Sequence, residues 1–201
     1  IKTFLVTSDG ECFDNPKFLR STLSKLKYTQ RKFSKNKGKR TKHKLAKLHE
    51  KVANQRKDFL HKTSSKLISD NQTICIEDLN IKGMLANHKL ALSISDCGWS
   101  MFVEMLEYKA EWYGKNILKI GRFEPSSKLH ANCGYINKDL KLSDREWVCP
   151  KCREVVSRDV NASINIKNFA LKNHLSVGRR LKNRNELSTM VEVMTSEAPS
   201  P

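Results

Sequence analysis

The 201-residue sequence has no apolar run near the ~20 residues needed for a bilayer-spanning helix, so no membrane partner is expected. Acidic residues are scarce. Against 38 Lys+Arg there are 21 Asp+Glu, a formal net charge of +17 with a pI near 9.7. That imbalance argues against an enzyme of small neutral molecules and favours a polyanionic partner, through long-range attraction and counterion release. Glycine is sparse, eight in all, and none forms a phosphate-cradling loop. There is no Ser/His/Asp arrangement for nucleophilic catalysis and no internal repeat. Six cysteines could pair as three disulfides, but three of them stand at metal-ligand spacing in a long, lysine-rich chain, which suits a reducing cytosol better. The first residue is Ile rather than Met, so a fragment or processed product is expected.

What is present is concentrated. From Lys17 to Lys66 there are 18 Lys/Arg and two acids, Glu50 and Asp58. The centre of this stretch reads RKFSKNKGKRTKHK and includes Lys32, Lys35, Lys37, Lys39, Arg40, Lys42 and Lys44. Most charge runs are solvated helix faces; this density favours contact with nucleic acid.

Periodicity organises the rest. Thr3–Val6, the turn signal Ser8-Asp9-Gly10 and Glu11–Phe13 predict a β-hairpin. A helix from Pro16 to about Tyr28 and another from near Lys42, broken apart at Asn36-Lys37-Gly38-Lys39, predict a helical hairpin with its lysines outward. The apolar run Thr73–Ile76 reads as a strand buried on both faces. Ser95 or Asp96 is expected to cap a helix that presents Trp99, Phe102, Val103, Leu106, Ala110 and Tyr113 and ends at Gly114. A strand at Asn116–Ile120 and a final helix from about Val160 to Leu171 follow, and the polar end of the chain is expected to be disordered. Strands alternating with long helices predict an α/β layer protein.

Two features carry chemistry. In HANCGYINKDLKLSDREWVCPKC, His130 and Cys133 are two residues apart, as are Cys149 and Cys152, with fifteen residues between the pairs. Each short gap lets one tight turn present two donors, and four donors make a tetrahedral, structural Zn2+ site. Whether His130 is the fourth ligand or incidental to three thiols is open on spacing alone. Two carboxylates also stand out. Glu77 follows the buried strand, and Asp159 opens the last helix in Ser157-Arg158-Asp159-Val160-Asn161. Either could be ordinary, Glu77 as a solvated strand exit and Asp159 as an N-cap. Paired beside a basic surface, they suit Mg2+-dependent phosphodiester hydrolysis.

IEDLNIKGM (Ile76–Met84), SISD with the following tryptophan, LEYKAEWYG, PSSK, the Cys/His segment and RDVNASINI (Arg158–Ile166) resemble, in order, the TnpB proteins. These are OrfB-type, transposon-encoded relatives of the type V CRISPR effectors, and the similarity runs from IKTFLVTSDG to about Phe169. The resemblance implies an RNase H-like (RuvC-like) fold with a helical hairpin over about 17–68 and a zinc ribbon inserted at 126–156. It divides the nuclease fold into residues 1–125 and a final helix at 157–175, ahead of a tail at 176–201. It implies Glu77 and Asp159 as inherited acids that hold Mg2+ for cutting DNA addressed by a guide RNA. This sequence departs from the pattern at His130, where cysteine is usual, at Arg153, where glycine is common, and at Ser157, where an acid is frequent. The family's first catalytic Asp lies on a strand directly before the segment matching Ile1-Lys2-Thr3, and its amino-terminal recognition domains also precede that point. Residues 1–201 are therefore expected to bind zinc and nucleic acid without cutting DNA. The rival reading is a non-catalytic zinc-ribbon protein left by a transposon.

Overall fold

The computed structural model describes residues 1–141, 143–176 and 190–194. β1 (Thr3–Thr7) and β2 (Cys12–Asp14) form the expected hairpin. Gly10 at its turn adopts φ +84°, and its amide returns to the Thr7 carbonyl at 3.0 Å. α1 (Phe18–Asn36) and α2 (Lys39–Asp70) are both longer than periodicity indicates. No proline or glycine interrupts α1, and none interrupts α2, so each helix runs on past its apolar stripe. Lys37 closes α1 in a left-handed conformation, its N–H donating to the Phe33 carbonyl at 2.7 Å.

The 32 residues of α2 span about 48 Å. Its buried side chains begin only at Val52, so its first three turns and the end of α1 stand clear of the core. Lys32, Lys35, Lys37, Lys39, Arg40, Lys42 and Lys44 are all exposed on that projecting end.

β3 (Thr73–Glu77) is buried from Thr73 to Ile76, as its unbroken apolar run requires. α3 (Ile81–Leu85), α4 (Ala91–Cys97) and α5 (Trp99–Trp112) follow. The helix expected to start at Ser95 or Asp96 is thus two helices. Gly98 separates them at φ +72°, where an added Cβ would meet Arg56 Cδ at 2.9 Å. β4 (Asn116–Ile120), the hairpin β5 (Glu146–Val148) and β6 (Val155–Ser157), α6 (Arg158–Ser176) and β7 (Met190–Met194) complete the order.

The main sheet runs β2-β1-β7-β3-β4. β3 is parallel to β4 and to β7, whereas β1 is antiparallel to β7 and to β2. β7 lies in the polar tail for which disorder is expected. Residues 190–194 instead fill the middle of the sheet, between two strands whose buried backbones need ladder partners. The rest of that tail, 177–189 and 195–201, lies outside the described residues. α2 and α5 cover one face of the sheet, with Phe4, Leu60, Ile74, Trp99, Phe102 and Leu106 buried together. α6 covers the other through Ala162, Ile166 and Ala170 against Cys75 and Ile120. The result is a mixed helix–sheet architecture of three layers, in keeping with the α/β expectation.

One polar latch fixes the helical hairpin to this core. Asp96, buried in the last turn of α4, accepts from the amides of Leu19 at 3.0 Å and Arg20 at 3.3 Å. It therefore caps α1, not the helix that follows it in sequence. Arg56 of α2 pairs with the same carboxylate at 3.1 Å, and its Nε donates to the Asp96 carbonyl at 2.9 Å. Asp96→Ala removes a cap and strands a half-buried guanidinium, so it should cost about 3–5 kcal/mol in urea unfolding. A loss under ~1 kcal/mol would show that the latch is idle.

Candidate functional site

The four donors at 130, 133, 149 and 152 converge. One ligand atom from each lies within 4.8 Å of all the others. His130 Nδ1 is 3.1 Å from Cys133 Sγ and 3.4 Å from Cys152 Sγ, and the sulfurs of Cys133 and Cys149 are 3.5 Å apart. The edge of a tetrahedral thiolate–zinc centre is about 3.8 Å. Among the described residues this is the one group of three or more His, Cys, Asp or Glu donors that could hold a metal ion.

Two turns of the same kind present the donors. After His130-Ala131-Asn132-Cys133, Gly134 adopts φ +71° and its amide reaches the His130 carbonyl at 2.9 Å. After Cys149-Pro150-Lys151-Cys152, Arg153 adopts φ +62° and its amide reaches the Cys149 carbonyl at 2.7 Å. Arg153 thus takes up the left-handed strain that a glycine would avoid, roughly 1–2 kcal/mol. Burial pushes the Cys149 thiol up. The Cys152 and Lys151 amides, with the neighbouring thiols, outweigh that and bring it down to about 6. A sulfur held so readily as thiolate suits a metal ligand. Trp147, Cys149 and Val156 form a small core beneath the site.

The two carboxylates lie at one end of the main sheet. Glu77 is the last residue of β3, two positions beyond Cys75, so it shares with Cys75 the side that α6 covers. Desolvation raises the Glu77 pKa, and the neighbouring Asp78 raises it further. Asp159 sits in the first turn of α6, and Arg145 Nη1 lies 3.4 Å from its Oδ2. One turn later, Ser163 Oγ donates to the carbonyl of Thr7, the last residue of β1, at 3.1 Å. The backbone register aligns Thr7 and Ile76 across Val193, so α6 begins at the level of Glu77. Beside Glu77 on the α5 side is a cavity of about 440 Å3 whose walls include Asn80, Phe102, Val103 and Arg122. Arg122 is tied to Asp78 at 2.9 Å.

Sequence reasoning missed the residues that join the two regions. Asn161 donates through Nδ2 to the Leu129 carbonyl at 2.7 Å and accepts through Oδ1 from the Ala131 amide at 2.8 Å, bracketing His130. Asn165 donates to the carbonyls of Leu129 at 2.5 Å and Ser126 at 2.8 Å. Both are buried. The available signal was two asparagines four apart inside a helix, where asparagine is unfavourable without a specific partner. Asn161→Ala should cost about 1–3 kcal/mol, since it leaves the Ala131 amide without its partner and the Leu129 carbonyl held by Asn165 alone. Hydrogen exchange should localise the effect to the Ala131 amide and its neighbours. Unchanged protection there would refute the clamp.

Two family models match the chain, "Probable transposase" over residues 1–88 and "Cas12f1-like, TNB domain" over residues 99–166. A Streptomyces pristinaespiralis protein named "Putative RNA-guided DNA endonuclease" is 46% identical over 170 residues, covering 82% of this chain and 42% of its own. "Putative RNA-guided DNA endonuclease InsQ" of Escherichia coli K12 is 30% identical over 179 residues, 79% of this chain and 44% of its own. The chain therefore spans less than half the length of these relatives. Among solved structures, a Cas12f1–sgRNA–target DNA complex determined by cryo-EM has a similar fold, with a TM-score of 0.56 at 19% identity. That similarity covers 78% of this chain and 43% of the other.

Proposed function

The chain belongs to the TnpB family of transposon-encoded proteins, and from that premise we propose that it forms the RNase H-like, RuvC-type nuclease core of a guide-RNA-directed DNA endonuclease. The observation that carries this reading is the placement of Glu77 and Asp159, from two distant parts of the sequence, at one end of the sheet and on the same side of it. Residues 1–125 and 157–175 make the nuclease fold, and residues 126–156 insert a zinc ribbon closed by His130, Cys133, Cys149 and Cys152. Four protein donors leave no open position for water, so that zinc is structural. The exposed lysines of the α1–α2 hairpin hold phosphate backbone, with DNA and guide RNA as the partners and a cytoplasmic setting. Among the described residues no helix is long and apolar enough to cross a membrane.

At the sheet end, Glu77 and Asp159 are the residues that would hold Mg2+. The ion, when bound, supplies activation of water and stabilisation of the leaving oxygen. Burial beside Asp78 raises the proton affinity of the Glu77 carboxyl, so the site binds a divalent cation best where that proton is lost. Arg145 pairs with the Asp159 carboxylate at 3.4 Å.

The direct test is Mn2+ binding, read as a rise in Tm and by calorimetry on the chain itself. Glu77→Gln and Asp159→Asn should each weaken Mn2+ by at least ~10-fold, the scale already seen for residues one shell removed from a metal. Equal affinity in both variants would remove the pair. Cleavage of single-stranded DNA is expected where a third acid on a preceding strand is also present, and both substitutions should abolish it.

The basic hairpin gives a second test. If Lys35, Lys37, Lys39 and Arg40 each touch a phosphate, replacing all four with Gln should flatten the log–log salt slope of duplex binding by about 3–4 units. An unchanged slope would return them to the solvated surface.

A further inference from the structure

We propose that Glu154 is the positioning residue that makes His130 a competent metal ligand where the family usually has cysteine. This rests on the reading that His130 completes the four-donor site.

The geometry fixes which nitrogen can bind. His130 Nδ1 faces the thiols of Cys133 and Cys152 at 3.1 and 3.4 Å. Nε2 points the other way and lies 3.5 Å from Glu154 Oε2. A neutral imidazole has one protonated nitrogen and one lone pair. With the Nδ1 lone pair given to the metal, the proton stands on Nε2, toward Glu154. A carboxylate there favours that tautomer, holds the ring angle and makes Nδ1 a stronger donor.

Glu154 is itself held in place. Asn132 Nδ2 donates to the same Oε2 at 2.9 Å, and the Cys149 amide donates to the Glu154 backbone carbonyl at 2.9 Å. The strained Arg153 immediately before it sets the direction in which the chain leaves the second turn. On another side of the imidazole the Trp147 ring packs edge-on, with centroids 5.7 Å apart. The His130 side chain is 4% exposed, so protein atoms rather than bulk water decide its orientation.

The charges agree with this role. Three thiolates and a neutral imidazole leave a Zn2+ centre with one negative charge fewer than four thiolates would. The adjacent Glu154 carboxylate restores that total without entering the coordination sphere.

The experiment is a Co2+ titration followed by Zn2+ competition on the whole chain. Wild type should give the visible spectrum of a site with three sulfurs and one nitrogen. Glu154→Ala should weaken Zn2+ by about 10–100-fold, the usual scale for a lost outer-shell partner of a histidine ligand. Glu154→Gln, whose amide oxygen can still accept from Nε2–H, should recover part of that loss. The deciding comparison is the His130→Cys background. A thiolate has no tautomer to select, so adding Glu154→Ala there should leave Zn2+ affinity unchanged or tighter.

Wild-type affinity in Glu154→Ala would overturn the proposal. A loss of equal size in the His130→Cys background would also overturn it, because Glu154 would then act on the hairpin and not through His130. Wild-type affinity in His130→Ala would instead sink the four-donor reading, whatever Glu154 does. If His130→Cys does not fold, long-range 1H–15N spectra of the Zn2+-loaded wild type decide. A metal-shifted Nδ1 with the proton on Nε2 is expected, and metal on Nε2 would refute the assignment.

Discussion

The first two turns of α6 tie the main sheet to the loop that carries His130. Within eight residues they offer Asp159 at the sheet end, Asn161 and Asn165 to the loop carrying His130, and Ser163 to the end of β1. Ala162 and Ile166 pack on Cys75 and Ile120 between those polar contacts. Small side chains at 162, 163 and 170 let the helix lie close enough to the sheet for short polar groups to reach backbone on both sides. A larger residue at Ala162 would lift the helix and break the metal-loop clamp and the β1 contact together.

The same helix joins the Cys/His cluster to the sheet end without the two sharing a residue. The His130 loop is too short and too polar to bury much apolar surface. Its own core is little more than Trp147, Cys149 and Val156. Cross-linking by a metal at the four donors would supply order that packing cannot, as in small Cys/His modules. The asparagine clamp then passes that order to α6, and through α6 to the position of Asp159.

The projecting hairpin obeys a different physics. Its outer end buries almost nothing, so its helices rely on strong helix formers and on the latch at Asp96 and Arg56 farther down. Such an arm can carry many like charges, because they stand in water and repel one another over a long surface. Folding alone gives no reason for so many lysines there; a phosphate backbone, as proposed, would.

The sequence by itself determined the elements whose signals are local. β-Branched and aromatic residues with a turn signal marked the β1–β2 hairpin, a continuous apolar run marked β3, and the paired two-residue gaps marked the four Cys/His donors. It also settled the family, through motifs that recur in order. Only the tertiary structure decided where the α4–α5 break falls, that Asp96 caps α1 across 77 residues, and that residues 190–194 form the middle strand of the sheet. It alone decided that Asn161 and Asn165 hold the His130 loop and that Nε2 of His130 faces Glu154. The physical reason is the same in each case. A periodicity or a spacing acts within one stretch of chain. A cap, a strand slot or an orienting carboxylate exists only when two stretches meet, and polar partners carry no pattern that names each other beforehand.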